Sequence, residues 1–70
     1  MNKTKLKKLG NKIKYYRKLE GLSQEKLSEL VSLSRNYIGM IERAEVNTPV
    51  STIFSIAKAL NIDTKQLFDF

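Results

Sequence analysis

The 70-residue sequence has no cysteine, no histidine and no tryptophan, and only three glycines and one proline. Without cysteine there are neither disulfides nor thiolate metal sites. Without histidine, the commonest remaining zinc ligand and the usual general base near neutrality are missing too. The acidic residues Glu20, Glu25, Glu29, Glu42, Glu45, Asp63 and Asp69 are spread along the chain without paired-carboxylate or metal-ligand spacing, and there is no glycine-rich phosphate loop. These gaps argue against an enzyme and imply no metal, no cofactor and no small-molecule substrate. No apolar run approaches the roughly 20 residues needed to span a bilayer, and the opening "MNKTKLKKLG" lacks the apolar stretch of a signal peptide. The expectation is a soluble, cytoplasmic chain with no membrane partner.

What is present is charge, unevenly placed. Residues 1 to 20 carry Lys3, Lys5, Lys7, Lys8, Lys12, Lys14, Arg17 and Lys18 against Glu20 alone, while the other fifty residues are close to neutral. A cationic end of this kind suits a polyanion, although a lysine-covered solvated face explains the charge equally well. The length allows one domain, residues 1 to 70. A chain this short buries only about 60% of the surface its unfolded form exposes, so the core must be small.

Apolar periodicity divides the chain into helices. Leu6, Leu9, Ile13 and Tyr16 mark one face of a first helix over about residues 4 to 19, with Arg17 beside the stripe. Gly21 suits a left-handed C-terminal cap, and Ser23 an N-cap for a second helix over about 24 to 31, with Leu27, Leu30 and Val31 inward. Ser34 caps a third helix over about 35 to 43, anchored by Ile38 and Ile41. Thr48 as cap and Pro49 at the first helical position open a fourth helix bearing Ile53, Ile56, Ala57 and Leu60. Asn61 closes it, and Asp63 with Gln66 forms a capping box for a last short turn. No segment alternates at period two, so the fold class is all-α, a compact five-helix domain. Residues 1 to 5 are read either as a flexible basic arm or as solvated lysines.

The third helix raises a question. Its outer face groups Arg35, Asn36, Gly39, Met40 and Arg43, yet glycine in a helix interior costs roughly 1 kcal/mol relative to alanine. A bare backbone there would let the helix approach base edges in a groove about 12 Å wide, which longer neighbours then read from the flanks. The alternative is close packing of Gly39 against another helix. Arg suits guanine, Asn suits adenine, and Met suits a thymine methyl.

Two capped helices about a turn of roughly four residues, about 24 to 43, have helix-turn-helix spacing. Further, "GLSQEKLSELVSLSRNYIGMIERAEVNTPVSTIFSIAKALNIDTKQLF" resembles the Cro and phage-repressor type of helix-turn-helix domain throughout. The Leu-Ser-Gln opening the second helix and the Ile-Glu-Arg closing the third carry the likeness. The resemblance implies a lambda-repressor-like fold and a transcriptional regulator, a repressor above all, with the third helix in the major groove of double-stranded DNA. The outer-face pattern makes Arg35, Asn36, Gly39 and Met40 the candidate base contacts. The resemblance implies backbone contacts from Gln24 and Ser34, read otherwise as a first-turn surface residue and a pure cap; Tyr37, Arg43 and Asn47 are further candidate backbone contacts. The resemblance also implies a structural ion pair between Arg17 and Glu42. Ser32 and Ala44 stand where this family commonly has glycine, so either backbone is strained if it needs positive φ. Glu45 replaces what is often a basic residue and weakens any phosphate clamp in that loop.

One such unit buries a modest area, so a homodimer on a palindromic operator is expected, with half-sites about 34 Å apart. Phe54, Phe68 and Phe70 are the candidate dimer surface. The rival readings are a protein-interaction module of the same fold, such as an antitoxin or adaptor, and a membrane-surface peptide built on the first helix. The second is disfavoured because the remaining fifty residues form a complete patterned domain.

Overall fold

In a computed structural model describing residues 1–70, the chain forms α1 (Lys3–Leu19), α2 (Gln24–Leu30), α3 (Arg35–Glu42), α4 (Val50–Ala59) and α5 (Thr64–Leu67). Short polar side chains set three of the starts, because each satisfies an otherwise orphaned backbone donor. Asn2 Oδ1 accepts from the Lys5 N–H at 2.8 Å, Ser23 Oγ from Lys26 at 3.0 Å, and Ser34 Oγ from Tyr37 at 3.0 Å. At α5 the Asp63 N–H donates to Gln66 Oε1 at 2.9 Å, one arm of the expected capping box.

Two starts differ from the sequence reading. Residues 3 to 5, read as part of a basic arm, form the first turn of α1, and Lys3 Nζ donates to the Ala44 carbonyl at 2.6 Å. At α4 the cap is Pro49 rather than Thr48: with φ −59° and ψ 147°, Pro49 is still extended, so helical geometry begins at Val50. Proline's fixed φ suits either position, and ψ alone decides between them.

α1 to α4 end in the same way. The residue after each C-cap is left-handed: Gly21 (φ 76°), Ser32 (58°), Ala44 (60°) and Asn61 (61°). Behind each, paired backbone bonds close the helix, such as Leu22 N–H to the Arg17 carbonyl at 3.0 Å and Glu45 N–H to the Met40 carbonyl at 2.9 Å. This is the Schellman arrangement, which favours glycine because other residues clash there. Ser32 and Ala44 therefore carry the positive φ that their substitution for glycine made a question of strain.

The core draws on every helix: Leu9 and Ile13 of α1, Leu27 of α2, Ile38 and Ile41 of α3, Ile53, Ile56 and Ala57 of α4 with Leu60 at its cap, and Leu67 of α5. α2 packs on α3, while α1 spans both α3 and α5. One expected core residue is misplaced: Leu30 is 52% exposed. The buried face of α2 is turned toward Ser28, whose hydroxyl donates to the Glu25 carbonyl at 2.6 Å, and this turns Leu30 away.

α1 and α3 approach each other closely at Gly10, on the buried side of α1. A Cβ there would lie 2.5 Å from the Glu42 carbonyl oxygen and 2.8 Å from that of Ile41. Only a glycine lets α1 cross the end of α3 this closely.

Candidate nucleic-acid interface

The orientation of α3 is held by charge as well as by apolar contact. Arg17 Nε donates to Glu42 Oε2 at 2.6 Å and its NH2 to Oε1 at 3.2 Å, a bidentate pair between side chains only 8% and 3% exposed. Arg17 NH1 donates to the Leu22 carbonyl at 2.8 Å, and Gln24 Nε2 donates to Glu42 Oε1 at 3.0 Å. A buried carboxylate needs this many donors, since an unpaired charge in the interior is costly. The network joins α1, the turn after it, α2 and α3, so α3 is presented at a fixed angle.

On the outer face of α3, Arg35 and Asn36 are exposed and Met40 is half-buried, with Asn36 Nδ2 3.7 Å from the Met40 sulfur. Gly39 is not the bare patch expected. It is buried, and the nearest atoms to where a Cβ would sit belong to the Arg43 guanidinium, which folds back over it with NH1 at 2.8 Å. Arg43 is held there by a second fork, Nε to Glu45 Oε2 at 3.0 Å and NH2 to Oε1 at 3.3 Å. The hydrogen bonds from Arg43 hold the Glu45 carboxyl below the usual carboxylate range, and the same contact raises the Arg43 guanidinium.

The other sequence-predicted residues divide by what already engages them. The Ser34 hydroxyl caps α3, Tyr37 packs against the core, and Gln24 keeps one amide N–H beyond that given to Glu42. Asn47 is exposed in the loop before α4. Phe68 and Phe70 come together, ring centroids 6.3 Å apart, and Lys8 lies over Phe70 at 5.7 Å. Phe54 is 56% exposed and lines a depression with Lys58 and Ile62.

Sequence reasoning missed two features. One is Gly10, whose only signal was its place beside the apolar stripe of α1. The other is a polar cleft of about 470 Å³ lined by Lys7, Asn11, Lys14, Gln24, Glu42 and Arg43, with no apolar side chain among them.

Five helices in this order, with α2 and α3 joined by a tight turn and α3 presenting polar residues outward, define a helix-turn-helix domain. The family model described as helix-turn-helix matches residues 13–67, and the chain belongs to that family of DNA-binding transcription regulators, which are not enzymes. Among particular proteins, it is similar to the control protein C.SmaI of Serratia marcescens, 44% identical over 59 residues that cover 84% of this chain and 70% of that one. It is 40% identical to the control protein C.BamHI of Bacillus amyloliquefaciens over 62 residues, 87% of this chain and 76% of that protein. The crystal structure of the restriction-modification controller protein C.AhdI from Aeromonas hydrophila matches with a TM-score of 0.90 at 38% identity, over 93% of this chain and 98% of that one.

Proposed function

We propose that this protein is a sequence-specific double-stranded DNA-binding regulator of the restriction-modification controller type, a repressor that binds a palindromic operator as a homodimer with α3 in the major groove. The observation that carries the reading is the fixed presentation of α3. Arg17, Glu42 and Gln24 lock it against α1 and α2, while Arg35 and Asn36 stand exposed on its far side.

In this reading Arg35 reads guanine, Asn36 reads adenine, and Met40 touches a thymine methyl. Gln24, Ser34, Tyr37, Arg43 and Asn47 position the backbone, which sets register without reading sequence. Gly39 contributes a place where the helix backbone is reached once Arg43 swings aside. Phe54, Phe68 and Phe70 supply the surface between two copies.

Selection of bound sequences from random DNA tests this. The expected result is enrichment of a palindrome with half-sites about 34 Å apart, bound by two chains. Weak, salt-labile binding with no sequence preference overturns it.

A further inference from the structure

α1 carries seven lysines, counting from its first residue, but they do not share one face. At about 100° per residue, Lys7, Asn11 and Lys14 fall within roughly 60° of one another, whereas Lys5 and Lys12 point about 150° away from Lys7. The first row is the one that lines the polar cleft, opposite Gln24 at the start of α2 and Arg43 at the end of α3.

The chemistry of that cleft is selective. Its single carboxylate, Glu42, is already bound by Arg17 and Gln24, so it does not cancel the two lysines. Asn11 adds an amide donor, and the lining offers an apolar ligand nothing. Two ammonium groups with neighbouring N–H donors and no free carboxylate suit a phosphate. A metal cation would meet net positive charge.

We infer that the Lys7, Asn11 and Lys14 row of α1 is a further DNA-contacting element, holding backbone phosphate in the cleft it forms with Gln24 and Arg43. This rests on the DNA-binding reading above and extends it to a helix outside the helix-turn-helix. The cationic charge of α1 then acts through one defined row, and the remaining lysines of the helix contribute only at long range.

The test compares two charge removals of equal size and spacing in the full-length protein. Lys7→Gln with Lys14→Gln removes the proposed row, and Lys5→Gln with Lys12→Gln removes a matched pair from another face. Operator affinity is measured across a salt series, with thermal unfolding followed alongside to show that both variants fold. The first pair is expected to reduce the salt slope by about 1 to 2 per protomer while leaving base preference intact. The second is expected to change the slope by less than half as much. Equal reductions by both pairs overturn the inference, because they make the effect one of net charge. Inorganic phosphate titrated into the free protein is expected to shift the Asn11 amide signals only weakly. Saturation below millimolar phosphate would make the cleft a free-anion site and overturn its assignment to DNA. Absence of any sequence preference in the unmodified protein would instead sink the functional reading, a different result from either.

Discussion

Two glycines in this chain occupy opposite situations. At Gly10 the position a Cβ would take is closed by the backbone carbonyls of Ile41 and Glu42, which cannot move without shifting α3. At Gly39 it is closed only by the far end of the Arg43 side chain. Gly10→Ala is therefore expected to destabilise by about 1 to 3 kcal/mol, the usual cost of overpacking. Gly39→Ala is expected to gain up to about 1 kcal/mol of helix propensity and displace Arg43. Chemical denaturation of the two variants reads both, and a stable Gly10→Ala would contradict the close crossing. The sequence drew attention to Gly39, whose outward position follows from the helical period alone. Gly10 went unnoticed because its role depends on which element crosses it.

At the scale of the element, most helix ends were legible, the starts of α1 and α4 excepted. Ser23, Ser34, and Asp63 with Gln66 act on backbone groups within three residues of themselves, so their effect is local. The left-handed positions that follow the helices are local as well, and the departures from glycine at Ser32 and Ala44 were visible as departures. Ser32 is exposed, so Ser32→Gly relieves the positive φ and loses no packing; a gain of about 0.5 to 1 kcal/mol is expected. Ala44 is 2% exposed, so the methyl lost in Ala44→Gly offsets the relief and the net change should be smaller. Thermal melts of the pair check the contrast, and a larger gain at Ala44 would show that its methyl contributes nothing. Leu30 was misread for a non-local reason, since the face that α2 buries is chosen by its neighbours and not by its own apolar count.

At the scale of the molecule, one buried carboxylate connects three helices. Glu42→Ala strands the Arg17 guanidinium, and a loss of about 3 kcal/mol or more is expected, a large part of the roughly 5 to 15 kcal/mol that holds a domain folded. Replacing both partners with apolar residues, Arg17→Met with Glu42→Leu, should cost clearly less than the single change, because no charge is left unpaired. Urea unfolding of the three proteins decides it. Equal losses in the single and double variants would mean that the pair contributes through geometry alone. The pair itself was expected from the family resemblance, whereas the Gln24 and Leu22 contacts that complete it required the folded arrangement.

The crossing at Gly10 also has a mechanical meaning. Most helix pairs are separated by a layer of side chains that can shear or change rotamer, and that layer acts as a compliant joint. At Gly10 that layer is missing, because main chain faces main chain, while the Arg17–Glu42 fork and core side chains fill the rest of the contact between α1 and α3. At that point α3 can change its pitch against α1 only by displacing main chain, so the crossing ties the placement of the lysine row to that of α3.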